Sequence, residues 1–136
     1  MAPGQLKFKM HFNYPVAGYA IGRFRLSVTA DDRSGFADGE DSDGDVEANW
    51  IVLTDPSVSL PSGMTSLVLD DDDSILIGGT VSNGIYEINY TTSVSQITGI
   101  RLEVIEDDSL PHKGPGLYNS NGNFVLSEFT LEAAPM

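Results

Sequence analysis

Leu6, Phe8, Met10 and Phe12 alternate with Lys7, Lys9 and His11. A period of two predicts a strand with one face in a core. Ile21 to Thr29 repeats it, with Phe24, Leu26 and Val28 on one side and Arg23, Arg25 and Ser27 on the other. Trp50 to Leu53 is a short apolar run. Leu67 to Leu69 and Ile75 to Ile77 flank the acidic stretch Asp70 to Asp73, a pattern that predicts a hairpin. Ile85 to Thr91 alternates again through Tyr86, Ile88 and Tyr90. Ile97 to Ile105 and Phe124 to Leu131 predict the last two strands. In the final segment the apolar phase slips between Leu126 and Phe129, which predicts a bulge near Ser127 or Glu128.

About eight strands result, with no helical periodicity and no internal repeat. Turn signals fall between them, at Tyr14-Pro15, Gly78-Gly79, Asn83-Gly84, Gly114-Pro115-Gly116 and Asn121-Gly122. The expected fold is all-β, a single antiparallel β-sandwich of jelly-roll or discoidin-like form over residues 1–136.

Composition narrows the function. The chain has 136 residues, enough for a core without staples, and it has no cysteine. Disulfide frameworks, zinc fingers and cysteine nucleophiles are therefore out. Twenty acids against seven bases give a net charge of −13, which argues against nucleic acid as a partner. Two histidines exclude a histidine-rich metal site. No apolar run is long enough to span a membrane, and no signal peptide is visible at Met1. The favoured reading is a mature or excised domain of a larger protein.

Two long loops stand outside the strands. Asp31 to Asn49 gathers Asp38, Glu40, Asp41, Asp43, Asp45 and Glu47. Its Asp41-Ser42-Asp43-Gly44-Asp45 places oxygen ligands at alternate positions around a glycine, the chemistry a calcium ion needs. The fit to an EF-hand is poor, since Gly44 falls fourth and Val52 occupies the twelfth position. A solvated acidic loop explains the same residues. Asp70 to Asp73 reads as a charged hairpin tip that blunts a sheet edge, with a bound cation as the minority view.

The bases concentrate on strands. Lys7, Lys9, Arg23, Arg25 and Arg101 all sit out of phase with the apolar residues. If their strands are neighbours, they share one outer face that suits a carboxylated or sulfated polysaccharide. Cross-strand pairing with Glu87, Glu103 and Glu128 is the competing use. Trp50, the single tryptophan, fits the core better than a sugar platform; Tyr14, Tyr19 and Tyr118, in loops, are better platform candidates. The second loop, Glu106 to Gly122, carries His112 and Lys113 at its tip, near Tyr118, Asn119, Asn121 and, just beyond it, Asn123. Such groups can read hydroxyls, and they serve equally as turn formers.

Catalytic patterns are thin. There is no Gly-x-Ser-x-Gly elbow, no His-Glu-x-x-His and no phosphate loop. A carboxylate pair for glycosidic cleavage stays open on sequence alone. A sandwich of this size rarely spares the volume for a deep pocket, so the expectation is a protein that is not an enzyme.

Two stretches carry a resemblance. One is Ile21-Gly22-Arg23-Phe24-Arg25-Leu26-Ser27-Val28-Thr29 with Asp31-Asp32-Arg33-Ser34 and Phe36-Ala37-Asp38-Gly39. The other runs from Ile97-Thr98-Gly99-Ile100-Arg101-Leu102-Glu103-Val104 through Asp108-Ser109-Leu110-Pro111 and Gly114-Pro115-Gly116. It ends in Asn121-Gly122-Asn123-Phe124-Val125-Leu126-Ser127-Glu128-Phe129. Together they resemble β-sandwich domains in large secreted or surface proteins of planctomycetes and some cyanobacteria, where c-type cytochrome or other domains accompany them. The Gly-Pro-Gly there is usually followed by arginine; here Leu117 follows. A more distant likeness is to discoidin-type carbohydrate-binding modules. That likeness implies a structural calcium at Asp43-Gly44-Asp45, ahead of Trp50, with Glu128 on the last strand.

The first expectation is an extracellular or cell-surface carbohydrate-binding module. In it, Ca2+ is held by Asp38, Asp41, Asp43, Asp45 and Glu128, and a polysaccharide or other surface glycan is met by Arg23, Arg25, Arg101, His112, Lys113, Tyr118, Asn121 and Asn123. The alternative is a structural subunit of a surface layer, fibre or adhesin. It would assemble with copies of itself through strand contacts, for example by giving Gln5 to Asn13 to a neighbour. A small polysaccharide lyase or hydrolase is the third reading.

Overall fold

The computed structural model describes residues 4–35 and 48–135. Nine strands run through them: β1 (Gly4–Phe12), β2 (Arg23–Thr29), β3 (Ile51–Val52), β4 (Ser57–Ser59), β5 (Met64–Val68), β6 (Ile75–Gly79), β7 (Gly84–Thr92), β8 (Gly99–Val104) and β9 (Glu128–Pro135). They form two antiparallel sheets packed face to face, a β-sandwich. The four-stranded sheet has the order β4-β7-β1-β9. In the five-stranded sheet β2 is central. β8 lines one of its edges from Phe24 to Thr29, so β6, at Arg23 and Phe24, and β3, at Ser27 and Val28, share the other. β5 closes that side against β6.

The alternation read from sequence is the burial pattern. Leu6, Phe8, Met10 and Phe12 of β1 are buried, as are Phe24, Leu26 and Val28 of β2 and Tyr86, Ile88 and Tyr90 of β7. Registry aligns them: Leu6 faces Tyr90, Phe8 faces Ile88 and Met10 faces Tyr86. On the other side of β1, Phe8 meets Leu131 and Met10 meets Phe129 of β9. Aromatic rings close the layer. Phe8 packs against Tyr90 at 6.0 Å and Phe129 at 5.8 Å, and Phe12 against Tyr86 at 4.6 Å. Tyr86 joins the two sheets, since its ring also stacks on Phe24 of β2 at 6.2 Å. Its hydroxyl donates to the carbonyl of Ile21 at 2.9 Å, and burial pushes its ionisation well above the ordinary tyrosine range.

The structure departs from the sequence reading in four places. β4 was not foreseen: Ser57-Val58-Ser59 offers one apolar residue between two serines, too little to show a period. The phase slip before Phe129 is not a bulge inside a strand. β9 begins at Glu128, and Phe124 and Leu126 reach the core from irregular chain tied by Val125 N–H to Tyr19 O and Ser127 N–H to His11 O. The five bases do not share a face. β1 pairs with β7 and β9, so Lys7 and Lys9 lie outside one sheet, while Arg23, Arg25 and Arg101 lie outside the other. Trp50 is half-buried on that outer face rather than in the core, with the Arg101 guanidinium 4.9 Å from its ring centre. The predicted hairpin across Asp70 to Asp73 is present, with Val68 facing Ile75.

β1 is interior to its sheet and supplies four core side chains. Any exchange of this strand with a neighbour has to vacate that core first.

Replacing Tyr86 by Phe keeps the ring packing and strands the buried carbonyl of Ile21. The expected loss is about 1–2 kcal/mol of unfolding free energy in urea titration, with an unchanged m-value.

Candidate functional site

The arginine face is held together by its own carboxylates. Arg23 donates from Nη2 to Asp72 at 2.8 Å, from Nε to the Ser74 hydroxyl at 2.9 Å, and from Nη1 to the Glu106 carbonyl at 3.1 Å. Asp107 lies 3.4 Å from the same Nη1. Arg25 grips Glu103 with both prongs, Nε to Oε1 at 3.0 Å and Nη2 to Oε2 at 2.9 Å. Arg101 approaches the same carboxylate at 3.3 Å. The bonds from Arg25 hold the Glu103 carboxyl below its usual range, and Glu103 raises Arg25 in return. Asp107 is lowered mainly by its bonds from Ser109. At Asp72 burial acts upward, but the Ser74 bonds and Arg23 together carry it below the ordinary aspartate value. A planar anion arriving here must displace a partner already in place. On the opposite sheet Lys7 meets Glu87 at 3.6 Å, and Glu128 lies 3.9 Å from His11.

The other candidate residues separate. Leu110 to Gly114 turns tightly, with left-handed backbone at His112 and Lys113, and both side chains are exposed. Lys113 borders a polar hollow with Arg23, Glu106, Asp107 and Asp108. Asn121 and Asn123 are turn formers: the Asn121 side-chain oxygen accepts from Asn123 N–H at 2.9 Å. Tyr118 N–H reaches the Asn123 carbonyl across the same turn, at 3.3 Å. Gly116 is required there, because a Cβ on it would collide with the backbone of Asn123 and Phe124.

Tyr118 is the residue that finds company. Tyr19 stacks on it, centroids 3.9 Å apart and planes 9° from parallel. Tyr14 packs against Tyr19 at 4.9 Å and 69°. Tyr14 is 41% exposed, and the other two rings are half-buried behind it. The row forms at the end of the sandwich where β1 closes and β2 begins. Backbone bonds bring its two loops together: Leu117 N–H to Ala20 O at 2.8 Å, and Gly22 N–H to Pro115 O at 2.7 Å. Asn83 fixes the Tyr14 segment, accepting from Gly18 N–H at 3.1 Å and donating to the Tyr14 carbonyl at 2.7 Å. Sequence reasoning read Asn83 only as half of an Asn-Gly turn. A hollow lies beside Tyr14 (about 570 Å³, with Asn13, Pro15 and Asn83 in its wall) and another beside Tyr118 (about 480 Å³, with Val81 and Asn119).

Asp38, Asp41, Asp43 and Asp45 lie outside the described residues. The chain on either side of that segment is joined where Asn49 N–H donates to Asp31 at 2.7 Å, beyond the last residue of β2. Glu128 opens β9 opposite His11, at the other end of the sandwich. The seven residues of β2 put about 20 Å between these ends.

No protein-family model, curated protein or solved structure matches the chain. The functional reading therefore rests on the residues themselves.

Glu103→Gln removes the charge that Arg25 and Arg101 share. About 1 kcal/mol of stability is expected to go at neutral pH. Because the folded Glu103 carboxyl is depressed, its contribution is full above the unfolded value, near pH 4.3, and is lost as pH falls through the lower folded value. Urea melts of the two proteins should differ at pH 7 and converge as the pH falls below the depressed folded value of Glu103.

Proposed function

We propose that this domain is a non-catalytic carbohydrate-binding module, and that its site is the tyrosine row of Tyr14, Tyr19 and Tyr118. The observation that carries the reading is the assembly of three aromatic rings from two distant loops on a rigid sheet end, with amide side chains around them. Aromatic rings offer flat apolar faces to the C–H faces of sugars, and asparagines offer paired donors and acceptors to hydroxyls. Loops on a sandwich scaffold are the usual place for recognition. Tyr14 is the contacting ring, and Tyr19 and Tyr118 stand behind it. An extracellular or surface location belongs to the same proposal, since that is where a glycan of this kind is met.

The calcium expectation stays part of the proposal with Asp38, Asp41, Asp43, Asp45 and Glu128 as its ligands, the four aspartates lying outside the described residues. Arg23, Arg25 and Arg101 are assigned to holding the sheet face rather than to ligand.

Tyr14→Ala tests the site. Affinity electrophoresis through polysaccharide gels should show binding weakened about tenfold or more, with Tyr14→Phe near the parent protein. Chelator should lower the melting temperature. Equal retardation of the parent and Tyr14→Ala would sink the assignment.

A further inference from the structure

Residues 13–22, 74–86 and 114–127 are three of the five stretches of ten or more residues that contain no Asp, Glu, Lys, Arg or His, the others being 56–69 and 88–100. All twenty acids, all seven bases and both histidines lie outside them. The fold gathers these three stretches at one place. Tyr14 and Gly18 of the first are bonded to Asn83 of the second. Ala20 and Tyr19 of the first receive Leu117 and Val125 N–H of the third. The tyrosine row sits in the middle, and Val16 and Ile85, 45% exposed each, add apolar surface near Tyr14. The walls of the two hollows beside the row thus hold no Asp, Glu, Lys or Arg and a single histidine, His11, which lies 3.9 Å from Glu128, while the outer faces of the sheets carry acids and bases together.

We infer that the glycan taken by the tyrosine end is uncharged, a neutral hexose polymer rather than a carboxylated or sulfated one. The inference rests on the carbohydrate-binding reading and specifies its ligand class. A carboxylate or sulfate brought to this end meets no lysine or arginine in the wall of either hollow, and His11 in the Tyr14 hollow already has the Glu128 carboxylate 3.9 Å away. It loses hydration against tyrosine, valine and isoleucine surface, and the acidic body within a Debye length or so repels it. A neutral pyranose bears neither penalty. Its ring faces cover the exposed ring of Tyr14, and its hydroxyls find the amides of Asn13 and Asn119 in the flanking hollows. The hollows lie on either side of the row, so a chain of several sugar units fits the geometry better than a single one. Serines, asparagines and backbone groups supply the polar contacts, with His11 at the wall of the Tyr14 hollow the one side chain of ordinary near-neutral titration among them.

The test is depletion of the protein by polysaccharide particles at about 50 and 500 mM NaCl, a range over which exposed charge interactions are strongly screened. The probes are an insoluble β-glucan, a mannan and an α-glucan as the neutral set, with pectate and immobilised dextran sulfate as the charged set. The expected result is depletion by a neutral probe, changed less than about twofold by salt. Tyr14→Ala should weaken it about tenfold or more, and Tyr14→Phe should restore it. Depletion by pectate or dextran sulfate alone, weakening at high salt, overturns the inference and leaves a carbohydrate-binding domain that uses its arginine face. Depletion by none of the probes overturns the carbohydrate-binding reading itself. Circular dichroism of both Tyr14 variants separates lost binding from lost fold.

Discussion

The position of β1 between β7 and β9 is the constraint on which the rest depends. Its four inward side chains meet β7 on one flank and β9 on the other, so the middle of the sheet forms only when the first strand, the seventh and the last come together. Such long-range pairing must overcome loop-closure entropy before packing compensates it. Tyr86 then couples this sheet to the other, through its ring on Phe24 and its hydroxyl on the carbonyl of Ile21. That same carbonyl belongs to the segment carrying Tyr14 and Tyr19. The tyrosine end is therefore anchored in the core by a buried hydrogen bond rather than laid loosely over it.

Charge is arranged by the same topology. Strand neighbours bring Arg25 and Arg101 to Glu103, and Arg23 to the turn after β5 and the loop after β8. These are cross-strand and strand-to-loop pairs that an antiparallel sheet makes readily. Each arginine on the face is consumed by the protein's own carboxylates. The four-acid turn has the same explanation in part: Asp72 caps Ser74 and holds Arg23, which ties the β5–β6 hairpin to the central strand.

Elements were legible where a local period carried them. Phe8 and Tyr86 could be placed inside from their neighbours alone, because alternation and burial have one physical origin. β4 was not legible, since one valine between two serines shows no period and its place comes from pairing with β7. The supposed bulge near Glu128 failed for a related reason: a period can start afresh where a strand starts. The common basic face failed because Lys7 and Arg23 look alike in sequence, and only strand order says that they point to opposite sides. Tyr14, Tyr19 and Tyr118 could each be named as loop aromatics. Their contact could not, because it depends on Asn83, Leu117 and Gly116 bringing two distant loops within bonding distance.

The two kinds of surface on this molecule follow from different demands. A sheet face exposed to water needs polar residues at alternate positions, and opposite charges facing each other across strands satisfy that need while fixing register. Loop ends have no such periodic demand, so their composition is free to follow the ligand. Here the hollows beside the tyrosine row are walled without Asp, Glu, Lys or Arg, although the chain as a whole is strongly acidic. Tyrosine fits that setting, since it covers area with few rotatable bonds and keeps a hydroxyl for water or a sugar. The stack of Tyr19 on Tyr118 costs nothing in charge desolvation, and it leaves Tyr14 braced from behind and open in front. Support behind one exposed ring lowers the entropy that any ligand covering it would lose on binding, and the proposed glycan reading draws on that.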